Sequence, residues 1–456
     1  MTGIRNSALL FLTFIFGFYP SVAKIYAETH TAASASYADV NASLSAASRG
    51  DTVLVPAGSA TWSSTLSLTK GISLKGAGER STIITGSGVL IAIAPDATAI
   101  ADEETIRVEG FTFDGNNTAF NLITVRGSGV NDAKPFKNLV VGNTTFRNTG
   151  TVTSGSGAIS STGQVRGVIY NNIFDRVNVV LKIMGNDDRT EWANGSFPFA
   201  YGNSDNLFFE GNTIQFSSSF SGEDPGWTET GQGGRLVERY NTWNMANTKQ
   251  QEVWDIHGFQ NWPNGQTGTM ISEYYGNTIT HSSGYRWINH RGSWGMFFDN
   301  IMIGNNMGIE ADQYVGCTSD VPGSTGVYRP EINNTYVFNN TTNGTMQNMV
   351  LGTEQNCGIA ENSNWWNYDP SFNGTTGIGR GTTPPAGSCT VGTGYWVAST
   401  PTPTTDPNVI QNGTLYKCTA TNVWTAYYAP YTYPHPLSEG TLATVPPAAP
   451  KNLKLR

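Results

Sequence analysis

The chain has 456 residues, of which 13% are charged and 11% aromatic, with a formal net charge of −8. So little charge combined with so many rings is the reverse of a disordered composition. The acidic balance gives no reason to expect nucleic acid or an anionic membrane surface as a partner.

The opening residues place Arg5 ahead of an apolar run from Ala8 to Tyr19, followed by small-residue sites ending at Ala23 and Ala27. This layout predicts a secretory signal peptide over residues 1–27, because the run is too short to cross a bilayer as a helix. No later segment reads as a membrane span. The expected location is therefore secreted, periplasmic or cell-surface.

Residues 28–370 carry an internal echo. The segments "VVGNTTF", "VIYNNIF", "FFEGNTI", "VERYNTW", "EYYGNTI", "MFFDNIM" and "YVFNNTT" each run from β-prone residues into an Asn and on to another β-prone pair. The recurring residues are Asn143, Asn172, Asn212, Asn241, Asn277, Asn300 and Asn340, separated by 23 to 40 residues. A period of that size marks a stacked array. Units of two or three short strands with variable loops predict an all-β, single-stranded parallel β-helix rather than a propeller. An Asn at the same corner of each coil can hydrogen-bond along the stack and satisfy turn backbone groups. Asn143, Asn340 and Asn343 also stand in Asn-x-Ser/Thr sequons, but a ladder accounts for the spacing and a glycosylation motif does not.

The segment Tyr37 to Gly78, "YADVNASLSAASRGDTVLVPAGSATWSSTLSLTKGISLKGAG", resembles the opening of the pectin-lyase-like superfamily. The resemblance extends over roughly Tyr37 to Asn343. It implies a right-handed parallel β-helix whose open end is covered by a short helix, here about Tyr37 to Ala47. An uncovered end coil would expose an apolar interior and an unpaired strand edge. The superfamily includes lyases, hydrolases, tailspikes and adhesins, so the resemblance bears on fold more than on activity.

Within this array, strand alternation selects the outward residues. With Ile256 inward in "VWDIHG", Asp255 and His257 point out. With Ile288 inward in "YRWINHRG", Trp287, Asn289 and Arg291 point out. With Ile309 and Ala311 inward in "MGIEADQY", Glu310 and Asp312 point out. Each run follows its Asn at a similar distance, so the three are expected to stack on one sheet, with Lys182 of "VVLKIMGNDD" in an earlier coil. The long insertion Ser217 to Gly234 would form a wall beside them. Trp227, Trp262, Trp287 and Trp294 are the aromatic platforms expected to bind sugar rings, together with Asn289.

That column suggests a carbohydrate-active protein acting on an extracellular polysaccharide or glycoconjugate. In a polysaccharide lyase, His257 or Lys182 would be the base and Arg291 would bind a uronate beside Asp255, while Glu310 and Asp312 would hold Ca²⁺. In a glycoside hydrolase, Asp255 with Glu310 or Asp312 would flank the glycosidic bond. A non-catalytic adhesive β-helix would use the same charges only to stay soluble. Two signatures of the superfamily are incomplete. "NDD" and "IHG" are fragments of the polygalacturonase pattern, whose Arg-Ile-Lys is missing, and "WDIH" only approximates the pectate-lyase "WIDH".

After about residue 370 the texture changes to Pro/Thr-rich loops and an aromatic-dense run. Residues 371–440 are expected to form a cap or appended module and 441–456 a flexible tail. The four cysteines allow three pairings in an exported protein. Neighbour pairing, Cys317–Cys357 and Cys389–Cys418, closes one local loop per bridge.

Overall fold

The computed structural model describes residues 27–129, 134–151, 157–185, 201–220, 225–246, 248, 252–258, 268–281, 286–304, 308–312, 332–352, 358–398 and 412–438. The expected signal peptide, Cys317, Cys357, Trp262 and the expected tail lie outside them.

Among the described residues, the chain passes repeatedly through three long sheets of 12, 10 and 11 strands, here called the first, second and third, in the order first, third, second. Neighbours within each sheet come from successive passes and run parallel, as with Leu207–Glu210 beside Arg235–Arg239 and then Ile271–Tyr275, except for the antiparallel pair Thr341–Thr342 and Thr345–Met346 that ends the third sheet. The protein is therefore all-β with long parallel sheets, an arrangement consistent with a parallel β-helix. Alternation explains why these short strands hold. In Thr82–Thr85 the residues alternate between buried and half-buried, and Ile84 joins the central core. Phe113, Phe146 and Phe174 stack along that core with centroids 5.8 and 4.9 Å apart.

The first sheet departs from simple alternation because both its faces are covered. Leu236 points into the central core, whereas Val237 belongs to a second apolar cluster with Phe208, Trp396, Leu415 and Tyr428. That cluster joins the outer face of the first sheet to a four-stranded C-terminal sheet containing Gly394–Ala398, Gly413–Ala420 and Val423–Tyr428. The Cys389–Cys418 disulfide forms as the local pairing predicts. The chain then crosses the outer face of the first sheet. Arg239, fully buried, binds Glu210 through Nε at 2.8 Å and Nη2 at 2.6 Å and donates to the carbonyls of Tyr431 and Thr432. Glu210 also accepts from the His435 backbone N–H, and Arg107 donates to the Leu437 carbonyl. "YTYPHPL" is thus tied down by two arginines and a glutamate from strands far back in the sequence.

A helix occupies Tyr37–Ala46, close to its expected bounds, with the Ser36 side chain accepting from the Asp39 N–H at its start. Val40 and Leu44 join the central core, and the helix packs on Thr29–Thr31 and Thr52–Val55.

The Asn ladder is real, with one correction. From Asn172 through Asn212, Asn241, Asn277 and Asn300 to Asn340, each Oδ1 accepts the backbone and side-chain N–H of the preceding member at 2.8–3.2 Å. Asn143 is not a member. Phe146 pairs with Phe174, which aligns Asn143 with Asn171 and leaves Thr144 at the ladder position, where its N–H reaches Asn172 Oδ1. Asn143 instead takes the corner just before the ladder, at φ 50°, like Asn171, Gly211, Gly276 and Asn339. Asn and Gly tolerate that left-handed conformation best, which is why both residue types recur there.

Candidate functional site

The second sheet brings the expected column together. Lys182 is opposite Glu229, Glu229 opposite Asp255, Asp255 opposite Asn289, and Asn289 opposite Glu310. Their strand neighbours Thr228, Trp254, Ile256, Ile288 and Ile309 are buried, and the last four belong to the central core. The polar row therefore lies on the opposite face from the core. Coils that distant in sequence meet because the ladder and the apolar column fix the register.

Lys182 Nζ reaches both Glu229 oxygens, at 2.9 and 2.8 Å. His257 Nε2 stands 3.0 Å from Glu229 Oε1 and 3.0 Å from Asp255 Oδ2. Arg291 Nη2 binds both oxygens of Asp255 and approaches the His257 ring. Further along, Arg286 joins three carboxylates: Glu252 at 2.8 Å, Glu310 at 3.3 Å and Asp312 at 2.5 Å. Asp255 is 1% exposed and Asp312 fully buried, so these ionic contacts operate with little solvent screening.

Proton affinities follow from this arrangement. Burial raises that of Asp255, but Arg291 and His257 outweigh it and hold the carboxyl well below its usual range. Burial likewise opposes ionisation of Glu229, yet His257 and Lys182 depress it. For His257, burial disfavours the charged imidazolium, but the Asp255 charge dominates and raises its pKa above the usual 6.5. Glu252 moves the other way: burial and the Asp255 charge raise it against the pull of Arg286.

Among the described residues, two buried polar atoms in this row have no hydrogen-bond partner, the Asn289 side-chain carbonyl and the Arg291 Nε–H. Buried polar groups are rarely left unpaired, so these two atoms are unusual, but both are closed off from the surface.

Several expectations need correction. Trp287 does not face outward. A register shift between Arg286 and Ile288 turns it inward, where its ring lies 5.7 Å from Trp254 in the core. Trp294 is on the first sheet against Tyr201, away from the row. Trp227 is half-buried on the second sheet with an unpartnered indole N–H. The insertion expected to form a wall contributes the strand Trp227–Gly231, and with it Glu229. Glu229, Glu252 and Arg286 were not singled out from the sequence. Glu229 could have been, since "WTETG" alternates and sets one charge between two threonines. Glu252 and Arg286 carry no comparable signal.

Glu310 and Asp312 are paired, as the calcium reading requires, but a guanidinium already bridges them. Among the described residues no group of three or more His, Cys, Asp or Glu is arranged to hold a metal. A calcium ion at Glu310 and Asp312 would have to displace Arg286. Gly352 admits Asp312 to this position, since a Cβ there would meet Oδ1 at 2.0 Å. No protein-family profile matches the chain, and a search of curated proteins returns no match.

Proposed function

We propose that this is an exported polysaccharide lyase with the right-handed parallel β-helix of the pectin-lyase-like superfamily, acting on a uronate-containing glycan. The observation that carries the reading is the His257 imidazole between Glu229 and Asp255, with the Arg291 guanidinium against its ring. In β-elimination a base removes the proton next to the uronate carboxylate, a carbon–carbon double bond forms, and the glycosidic oxygen leaves with a proton. His257 takes the proton from carbon and returns it to the leaving glycosidic oxygen. Arg291, whose side chain is partly exposed, binds the uronate carboxylate and stabilises the charge that develops. Lys182 acts through Glu229 and is a positioning residue, not the base.

One observation favours hydrolysis as the second reading. Glu252 is raised while Asp255 on the same strip is lowered, and carboxyls driven apart in this way can serve as acid and base. Purified protein is offered polyuronates and neutral glycans. Elimination gives the absorbance of an unsaturated uronate, which His257→Gln abolishes while thermal stability is kept. Reducing ends without that absorbance would establish hydrolysis. No turnover on any glycan would leave a paired, solubilising charge strip and sink the enzymatic reading.

His257 must be neutral to accept a proton, so activity is expected to rise through a pKa above 6.5. Glu229→Gln removes one anion holding the imidazolium, so the rising limb shifts to lower pH. An unmoved limb would refute the role given to His257.

A further inference from the structure

We propose that the seam between the first sheet and the four-stranded C-terminal sheet is a second glycan-binding site, centred on Lys417 and suited to a sugar carboxylate. It deepens the acidic-glycan reading above but uses a different sheet and different residues. Lys417 lies on the strand Gly413–Ala420, and its Nζ is 4.7 Å from the Tyr427 ring centroid and 6.0 Å from that of Tyr336. It donates to the Asn334 side-chain carbonyl. Among the described residues no carboxylate pairs with it, whereas every cation on the second-sheet strip has one. Burial pushes its pKa down to about 8, which records how poorly the ammonium is compensated.

A desolvated ammonium satisfied only by a neutral amide and ring faces is a ready acceptor for an anion. The surroundings add the sugar half of the ligand. Trp294 and Tyr427 are half-buried aromatic residues packed on this seam. Tyr201 connects them, with centroids 6.3 Å from Trp294 and 6.0 Å from Tyr427. Aromatic faces of this kind accept the apolar side of a pyranose while a charged neighbour selects the acidic one. The local backbone is also shaped for the task. Register slips between Trp294 and Met296, Asn334 adopts φ 46°, and its carbonyl accepts the Tyr201 hydroxyl at 3.0 Å. A bulge of this type re-aims side chains, here the amide that steers Lys417.

The test uses the full chain carrying His257→Gln, so that ligand is not consumed, titrated with a galacturonate trimer and with its neutral galactose counterpart. Lys417→Met and Lys417→Gln, each checked by near-UV circular dichroism, are expected to lower trimer affinity about tenfold, the loss of roughly one charge-assisted contact. Lys417→Arg should retain binding, and the neutral trimer should bind none of the variants comparably. Equal affinity with and without the Lys417 charge, or equal binding of the neutral trimer, overturns the proposal. Lys417-dependent binding without turnover by the unmodified chain would sink the lyase reading alone. Turnover without Lys417-dependent binding would sink this one alone.

Discussion

Asn241 sits in mid-ladder, and its replacement by Ala tests what the ladder contributes. Its Oδ1 accepts from the Asn212 backbone N–H at 2.8 Å and from Asn212 Nδ2 at 3.0 Å. Its Nδ2 donates to the Phe209 carbonyl at 2.8 Å and to Asn277 Oδ1 at 3.0 Å. The alanine variant strands the Asn212 backbone N–H and one Nδ2 hydrogen, the other staying on the Ile169 carbonyl, in a site where Asn212 and Asn241 are each 1% exposed. Asn277 Oδ1 keeps the Asn241 backbone N–H, so that acceptor is not orphaned. Two stranded donors at about 1–3 kcal/mol each give a loss of about 4 kcal/mol. Asn143→Gly is the control. Asn143 lies at a half-buried corner at φ 50°, where glycine is unstrained, and loses only a part-buried bond to the Tyr170 hydroxyl and an exposed one from Asn171, so the expected cost is about 1 kcal/mol. Urea unfolding followed by tryptophan fluorescence reads both, with an unchanged slope confirming that stability alone has moved. A cost below about 1 kcal/mol for Asn241→Ala, or equal costs for the two variants, would refute the reasoning.

Two other outcomes follow from buried charge. Glu238 points into the core, where Trp254 Nε1 donates to one of its oxygens, and burial raises its pKa from 4.5 to about 8. Because the folded form holds the proton more tightly, stability is expected to fall as pH rises from about 4.5 to 8, by on the order of 5 kcal/mol from this residue. In urea titrations across that range Glu238→Gln should remove this part of the slope, and a slope equal to the parent's would overturn the assignment. Arg239→Met leaves Glu210 buried without its cation, for a loss of about 3–5 kcal/mol. It should also release residues 431–438, read as faster proteolytic nicking there, and an unchanged nicking rate would show that the arginine does not secure that segment.

The architecture was legible because a stacked array writes its period into the chain. Asn172, Asn212, Asn241, Asn277, Asn300 and Asn340 share one corner, and that recurrence alone aligned Asp255, Asn289 and Glu310 on adjacent strands. Cys389–Cys418 was legible for a similar reason, since a local pairing needs only local geometry. Asn143 was misplaced because "GNTTF" and "YNNIF" each offer an Asn before the inward Phe, and only the pairing of Phe146 with Phe174 decides which position forms the ladder.

The periodic pattern of apolar residues and asparagines therefore determined by itself that the chain is built of stacked parallel strands, and which polar runs lie side by side. Tertiary structure alone decided where that pattern breaks. A register shift swings Trp287 into the core, a bulge aims Asn334 at Lys417, and Arg239 holds the carbonyls of Tyr431 and Thr432. The physical reason is that periodicity specifies only contacts repeated in every coil. A single-residue slip, or a contact made once between residues nearly two hundred positions apart, leaves no repeat to be read.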